Sequence, residues 1–173
     1  MDFYIAQGIS VVAGILAVLM MQQKNMRTIL VFQIVVNLTA SLNYLILGGD
    51  SGAYISLLAI LQATAVFLYN RKNAKPHLVV NILFMAGYLA CSAYNIAGSM
   101  DFMELLPAIA AICYSMSLVQ EKTLNFRLWS AVNPACWLVY DLYTMSYVMF
   151  IVHLSIFISA VVGIIRLDMK RKT

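Results

Sequence analysis

The sequence predicts an all-α polytopic membrane protein: seven transmembrane helices in a parallel three-plus-one-plus-three order, two triple-helix bundles joined by a linker helix. Three observations carry this. The chain has 173 residues, of which 63% are hydrophobic and 10% charged, too little polar surface to cover a soluble core. Seven apolar stretches approach the roughly 20 residues that a helix needs to cross about 30 Å of hydrocarbon. All eleven Lys and Arg residues fall in alternate gaps between those stretches. Basic side chains are retained on the cytoplasmic side while short loops translocate, so the alternation requires every stretch to span.

The stretches are Phe3 to Met21, Thr28 to Leu47, Ala53 to Tyr69, Leu78 to Ala97, Leu105 to Val119, Leu128 to Tyr143 and Tyr147 to Ile165. Tilt and local thinning absorb the shortfall of the shorter ones. Gly48-Gly49-Asp50-Ser51-Gly52 marks a break, since three glycines and an Asp favour a turn. Thr144-Met145-Ser146 is assigned as a tight turn by length: Leu128 to Ile165 as one helix would run about 57 Å. Pro107 falls where the fifth helix starts, a position that does not need its missing N–H.

Lys24 and Arg27 occupy the first gap, Arg71, Lys72 and Lys75 the third, Lys122 and Arg127 the fifth, and Arg166, Lys170, Arg171 and Lys172 the tail. The other side receives Asp2, Asp50, Asp101 and Glu104. An outer (periplasmic) amino terminus and a cytoplasmic carboxy terminus follow. The start has no basic region ahead of its apolar run, so the first stretch is expected to be kept as a span.

Residues Gln33 to Ala59 align with Trp129 to Ser155 at a constant shift of 96, matching Asn37 to Asn133, Leu42 to Leu138 and Tyr44 to Tyr140. Two repeats of three helices with one between them divide the chain into a first bundle (1–73), a linker helix (74–98) and a second bundle with a short cytoplasmic tail (99–173). Both repeats begin outside, so they are parallel. Such halves enclose a solute site and alternate its access, or form a duplicated scaffold without a pathway.

Asp141 is the one carboxylate placed inside a span, where a charge costs about 2.5 to 3.5 kcal/mol on insertion scales. A pathway role, an interfacial snorkelling role and a structural hydrogen bond all remain open for it. Asn133, Trp137 and Asp141 are four residues apart on one helix face, and Gln33, Asn37, Ser41 and Tyr44 form the corresponding stripe. These stripes read either as paired walls of a solute pocket, with Gln33, Asn37, Tyr44, Asn133, Trp137 and Asp141 as substrate-binding residues, or as interhelical glue. Pro134 breaks the backbone ladder beside them.

His153 is a candidate for proton coupling together with Asp141, since an imidazole titrates near about pH 6.5. Gln62 is a secondary candidate, and Asn81, Tyr88 and Asn95 read as a packing stripe of the linker helix. Cys91, Cys113 and Cys136 are odd in number and lack ligand spacing, so no metal site, cofactor or disulfide is expected. No nucleophile with its base, Walker loop or HExxH helix occurs, and no enzyme activity is expected. The basic residues form no contiguous face, which argues against nucleic acid. The expected partners are the lipid bilayer and a small polar solute, and a homo-oligomer is compatible with the pattern.

The runs Gln22-Gln23-Lys24, Ile29-Leu30-Val31-Phe32-Gln33, Leu45-Ile46-Leu47-Gly48-Gly49 and Ser51-Gly52-Ala53 resemble the YgjV-type bacterial inner membrane protein family. That family looks related to the SWEET, PQ-loop and MtN3-like transporters. The resemblance implies two three-helix bundles, a linker helix, residence in the bacterial inner membrane and small-solute transport. The chain departs from the SWEET pattern: of the four bundle prolines only Pro107 and Pro134 occur, the Pro-Gln pair is absent, and the central Asn residues of sugar carriers are not evident.

Overall fold

The computed structural model describes residues 2–21, 26–72, 78–118 and 123–165. Within them lie seven α-helices: α1 (Asp2–Met21), α2 (Met26–Leu47), α3 (Asp50–Arg71), α4 (Leu78–Ser99), α5 (Leu106–Leu118), α6 (Thr123–Tyr143) and α7 (Tyr147–Gly163). A 3-10 turn, Phe102–Leu105, leads into α5. Much of the basic side expected from the sequence, namely Lys24, Lys75, Lys122, Arg166, Lys170, Arg171 and Lys172, lies outside the described residues, as does Gln22-Gln23.

Three described stretches are long and apolar enough to cross a membrane on their own: Arg27–Leu47, Asp50–Arg71 and Leu78–Ser99. Asp2–Ala17, Phe102–Ser117 and Tyr147–Val162 are shorter apolar helices. α6 has the length, 21 residues, but Asn125, Arg127, Asn133 and Asp141 dilute its apolar character. Two of them, Asn133 and Asp141, make α6 the most informative helix below.

The helices close into a ring. α2 packs along both α1 and α3, α6 along both α5 and α7, and the contacts α1 to α7 and α3 to α5 complete the circle. α4 lies over α3 and α5. Small residues line the contacts: Ala6, Ala13, Ala40, Ala53, Ala108 and Ala110 are buried, whereas Leu61, Val79, Leu83 and Ile151 face outward. Lipid is as apolar as Leu, so large aliphatics gain nothing by turning inward, and close backbone approach decides which residues face the neighbouring helix.

Two connections share one geometry. After α2, Gly48 takes a positive φ of 76° and Gly49 donates to the Tyr44 carbonyl at 2.8 Å; after α6, Met145 takes a φ of 55° and Ser146 donates to the Asp141 carbonyl at 2.7 Å. The inner bonds also match, Gly48 to Leu45 and Met145 to Leu142. Both are Schellman caps, in which a left-handed residue turns the chain and satisfies the last carbonyls of the helix. The following residues have nearly identical backbones, φ −89° and ψ 67° at Gly49 against φ −87° and ψ 67° at Ser146.

This correspondence runs one residue beyond the shift of 96 read from the sequence: Tyr44 is equivalent to Asp141, not to Tyr140. Only Gly48 and Gly49 of the expected glycine break stay outside helices, because Ser51 and Gly52 are taken into α3. The Thr144-Met145-Ser146 turn falls where length placed it. Pro107 is the second residue of α5, at the helix start.

Candidate functional site

Asp141 sits two residues before the end of α6 with its side chain fully buried. Its carbonyl takes the Schellman bond, and its carboxylate is held from two sides. The Tyr44 hydroxyl on α2 donates to Oδ1 at 2.6 Å, and His153 Nδ1 on α7 pairs with Oδ2 at 2.6 Å. A buried charge is tolerated only with such partners. Here they come from α2 and α7, the two helices that flank α1 in the ring.

Trp137, one helical turn before Asp141, fills the space between those partners. Its ring stacks on Tyr44 with centroids 5.5 Å apart and 14° between planes, and on His153 at 5.7 Å and 16°. Tyr140 crosses Tyr44 edge-on at 5.5 Å, and its hydroxyl accepts the Gly52 N–H at 2.9 Å. A Cβ at Gly52 would stand 2.5 Å from the Tyr140 ring and 3.0 Å from that of Tyr44, so only glycine admits both rings.

More bonds join helices distant in sequence at this end. Ser10 donates to Asn43 at 2.8 Å, and Asn43 donates to Ser146 at 2.7 Å, linking α1, α2 and the turn after α6. The Gln7 amide donates to the Met145 carbonyl at 2.9 Å and accepts from the Val148 N–H at 3.2 Å. On the other side of the ring, Ser51 donates its N–H to the buried Glu104 carboxylate and its hydroxyl to the Glu104 carbonyl. Asp101 accepts from the Tyr143 hydroxyl at 2.7 Å and from the Met103 N–H, which together hold its carboxyl below the usual carboxylate range.

A second polar level lies deeper. Asn133 is ten residues from the end of α6, about 15 Å along the axis, against about 3 Å for Asp141. Its amide donates to the Ala110 carbonyl at 2.7 Å. Gln33 and the Tyr114 hydroxyl exchange bonds at 2.9 and 3.1 Å. The Gln62 amide donates to Ser115 at 3.0 Å and accepts from Tyr88 at 2.6 Å. A cavity of about 20 Å³, lined by Leu30, Gln33, Ala59, Gln62, Ala63, Val66 and Tyr114, opens between them. It has room for about one water.

The residues expected to form one site therefore divide. Tyr44, Trp137, Asp141 and His153 meet in one cluster. Gln33, Asn37 and Asn133 do not join it: Gln33 and Asn133 bond to α5, and the buried Nδ2 of Asn37 has no partner among the described residues. Of the linker stripe, Tyr88 docks on Gln62, while Asn81 Oδ1 and Asn95 Nδ2 are buried without partners among the described residues. Ser10, Asn43, Ser146 and Tyr114 were not foreseen. Small polar residues in apolar helices give little signal, although Asn43 directly precedes Tyr44 of a stripe already marked. Among the described residues no three His, Cys, Asp or Glu side chains converge as metal ligands, and Cys91, Cys113 and Cys136 are free thiols.

Long apolar helices, alanine-lined contacts, outward-facing aliphatics and a partnered buried carboxylate define a polytopic helical membrane protein. Comparison with known families makes this specific. The chain belongs to the Imp-YgjV family of bacterial inner membrane proteins, whose family model matches residues 4–171. No curated protein and no solved structure matches it.

Proposed function

We propose that this protein is a carrier for a small polar solute, in which all seven helices span the inner membrane and two parallel three-helix bundles, α1 to α3 and α5 to α7, rock against one another around α4. The observation that carries the reading is the fully buried Asp141 carboxylate, shared between Tyr44 of the first bundle and His153 of the second. Charged groups inside membranes are costly and are kept where they couple ions or link moving parts. The equivalence of Tyr44 and Asp141 in the two Schellman caps favours a duplicated, parallel plan, as do the likeness to SWEET-type transporters and the alternation of basic residues. That alternation puts the amino terminus in the periplasm and the carboxy terminus in the cytoplasm.

In this reading the cluster is the outer closure. Protonation of the Asp141 and His153 pair changes how strongly the halves are joined, which couples opening to protons. Gln33, Asn37 and Asn133 face the path beneath. The test is transport in reconstituted vesicles under an imposed pH gradient. Asp141→Asn is expected to abolish pH-driven accumulation while leaving equilibrative exchange; unchanged uptake at every pH would rule the coupling role out.

A second reading, a non-transporting assembly or interaction protein, is favoured by one observation: among the described residues the polar side chains mostly satisfy one another, and the cavity beside Gln33, Gln62 and Tyr114 is water-sized. Asn37→Cys and Asn133→Cys, made in a chain lacking the three native cysteines, separate the two. Reaction with a small aqueous thiol reagent supports a pathway. Protection in every condition supports the assembly reading.

A further inference from the structure

We infer that the solute chamber is not at Asp141 but at the deeper level, between Gln33, Gln62 and Tyr114, and that it takes uncharged solutes bearing hydroxyl or amide groups. The inference rests on the carrier reading above. Gln62 is nine residues from the Arg71 end of α3, about 13 Å along the axis, which places the cavity well inside the membrane.

Its lining explains the solute class. The described walls are Leu30, Val66, Ala59 and Ala63 with the amides of Gln33 and Gln62 and the phenol of Tyr114, and none carries a charge. A charged solute here would lose its hydration with no opposite charge to replace it, and that penalty amounts to several kcal/mol per ion. Asp141 does not supply the charge, because Tyr44 and His153 already occupy both its oxygens. Amides and phenols donate and accept, so they replace the water of a neutral hydrogen-bonding solute.

The present bonds act as stand-ins for that solute. Gln33 from α2 turns its amide to one hydroxyl, that of Tyr114 on α5, which both accepts from it and donates to it. Gln62 likewise holds two hydroxyls, those of Ser115 and Tyr88. A solute hydroxyl or amide entering between Gln33 and Tyr114 exchanges one set of bonds for another, at little net loss. Ala59 and Ala63, one turn apart on α3, leave the space, and Asn37, one turn from Gln33, has a buried amide donor without a partner among the described residues.

The experiment is osmotic swelling of protein-containing vesicles, followed by light scattering. Urea, glycerol, erythritol and glucose form the neutral set, and glutamate, lysine and choline the charged set. At least one neutral solute is expected to enter faster than into protein-free vesicles, and none of the charged ones. Gln33→Leu and Gln62→Leu, close in volume to the native residues, are expected to return that rate to the protein-free value, and Tyr114→Phe to slow it about tenfold, the worth of one hydrogen bond. Gel filtration of each variant in detergent separates loss of transport from loss of fold. Entry of charged solutes alone overturns the chamber while leaving the carrier reading. Neutral entry unaffected in folded Gln33, Gln62 and Tyr114 variants overturns its location. No entry of any solute overturns the carrier reading itself.

Discussion

The hairpins α2 to α3 and α6 to α7 turn through the same backbone bonds, but their side chains are opposite in kind. In the first, the left-handed position is Gly48, where a positive φ costs nothing; in the second it is Met145, where the same conformation strains a side chain. At the position whose carbonyl closes the cap, the first hairpin has a donor, Tyr44, and the second an acceptor, Asp141, and the two bond to each other. One turn into the following helix, the first hairpin has Gly52, which makes room for two rings, and the second has Met149, which is itself buried. The same cap geometry thus carries side chains that complement each other. Identical side chains at equivalent positions could not do this, since two Asp would repel and two Tyr would leave His153 without its carboxylate.

Removing the complement gives the largest expected effect. Asp141→Leu leaves the buried Tyr44 hydroxyl without its acceptor and the half-buried His153 without its partner, and is expected to cost about 3 to 5 kcal/mol, read as a large drop in thermal midpoint of the detergent-solubilised protein. Tyr44→Phe combined with it should cost little more, because the donor that Asp141 served is already stranded; strictly additive losses would show that the pair is not a unit. Next, Gly52→Ala forces its Cβ against the Tyr140 and Tyr44 rings and should cost about 1 to 3 kcal/mol in the same assay, with altered Trp137 fluorescence as the stacked rings shift.

The two cap positions give smaller effects of opposite sign. Gly48→Ala must adopt a left-handed backbone and is expected to lose about 1 to 2 kcal/mol. Met145→Gly relieves the same strain, less the extra backbone entropy of glycine, and should raise the midpoint by an amount equivalent to less than about 1 kcal/mol. A loss on Met145→Gly as large as that on Gly48→Ala would mean that the side chain, 58% exposed, is held by something other than this backbone.

Helix positions were legible in the sequence because apolar length and turn residues report on backbone requirements that every membrane helix shares. Boundaries moved where polar residues belong to helices: α6 starts at Thr123 instead of Leu128, and α3 takes in Asp50 to Gly52. The Tyr44, Trp137, Asp141 and His153 cluster was half legible. Helical spacing put Trp137 and Asp141 on one face and marked Tyr44 and His153 as polar positions. It did not say that Tyr44 and His153 approach the same carboxylate, which depends on packing between helices distant in sequence. Matching by identity set Tyr44 against Tyr140, whereas the backbone sets it against Asp141. Identity reports common residues, and here the functional relation lies in a difference. Gln33 and Gln62 were read apart, on separate helices, because the phenol and hydroxyls that gather them come from α4 and α5.

The placement of α4 has a mechanical consequence. The ring has two seams between its halves: α3 against α5, overlaid by α4, and α1 against α7, where Gln7 bridges to Met145 and Val148 and Phe3 meets Tyr147 edge-on. The first seam is bound like the spine of a book, by the chain running through α4 and by a third helix packed across the join. The second is a fore-edge, where the described fastenings run through the Gln7 and Phe3 side chains. In the carrier proposed above, with α1 to α3 and α5 to α7 as the moving bundles, a gap between them would therefore be a wedge, broadest on the side away from α4 once the Tyr44, Asp141 and His153 bonds are released.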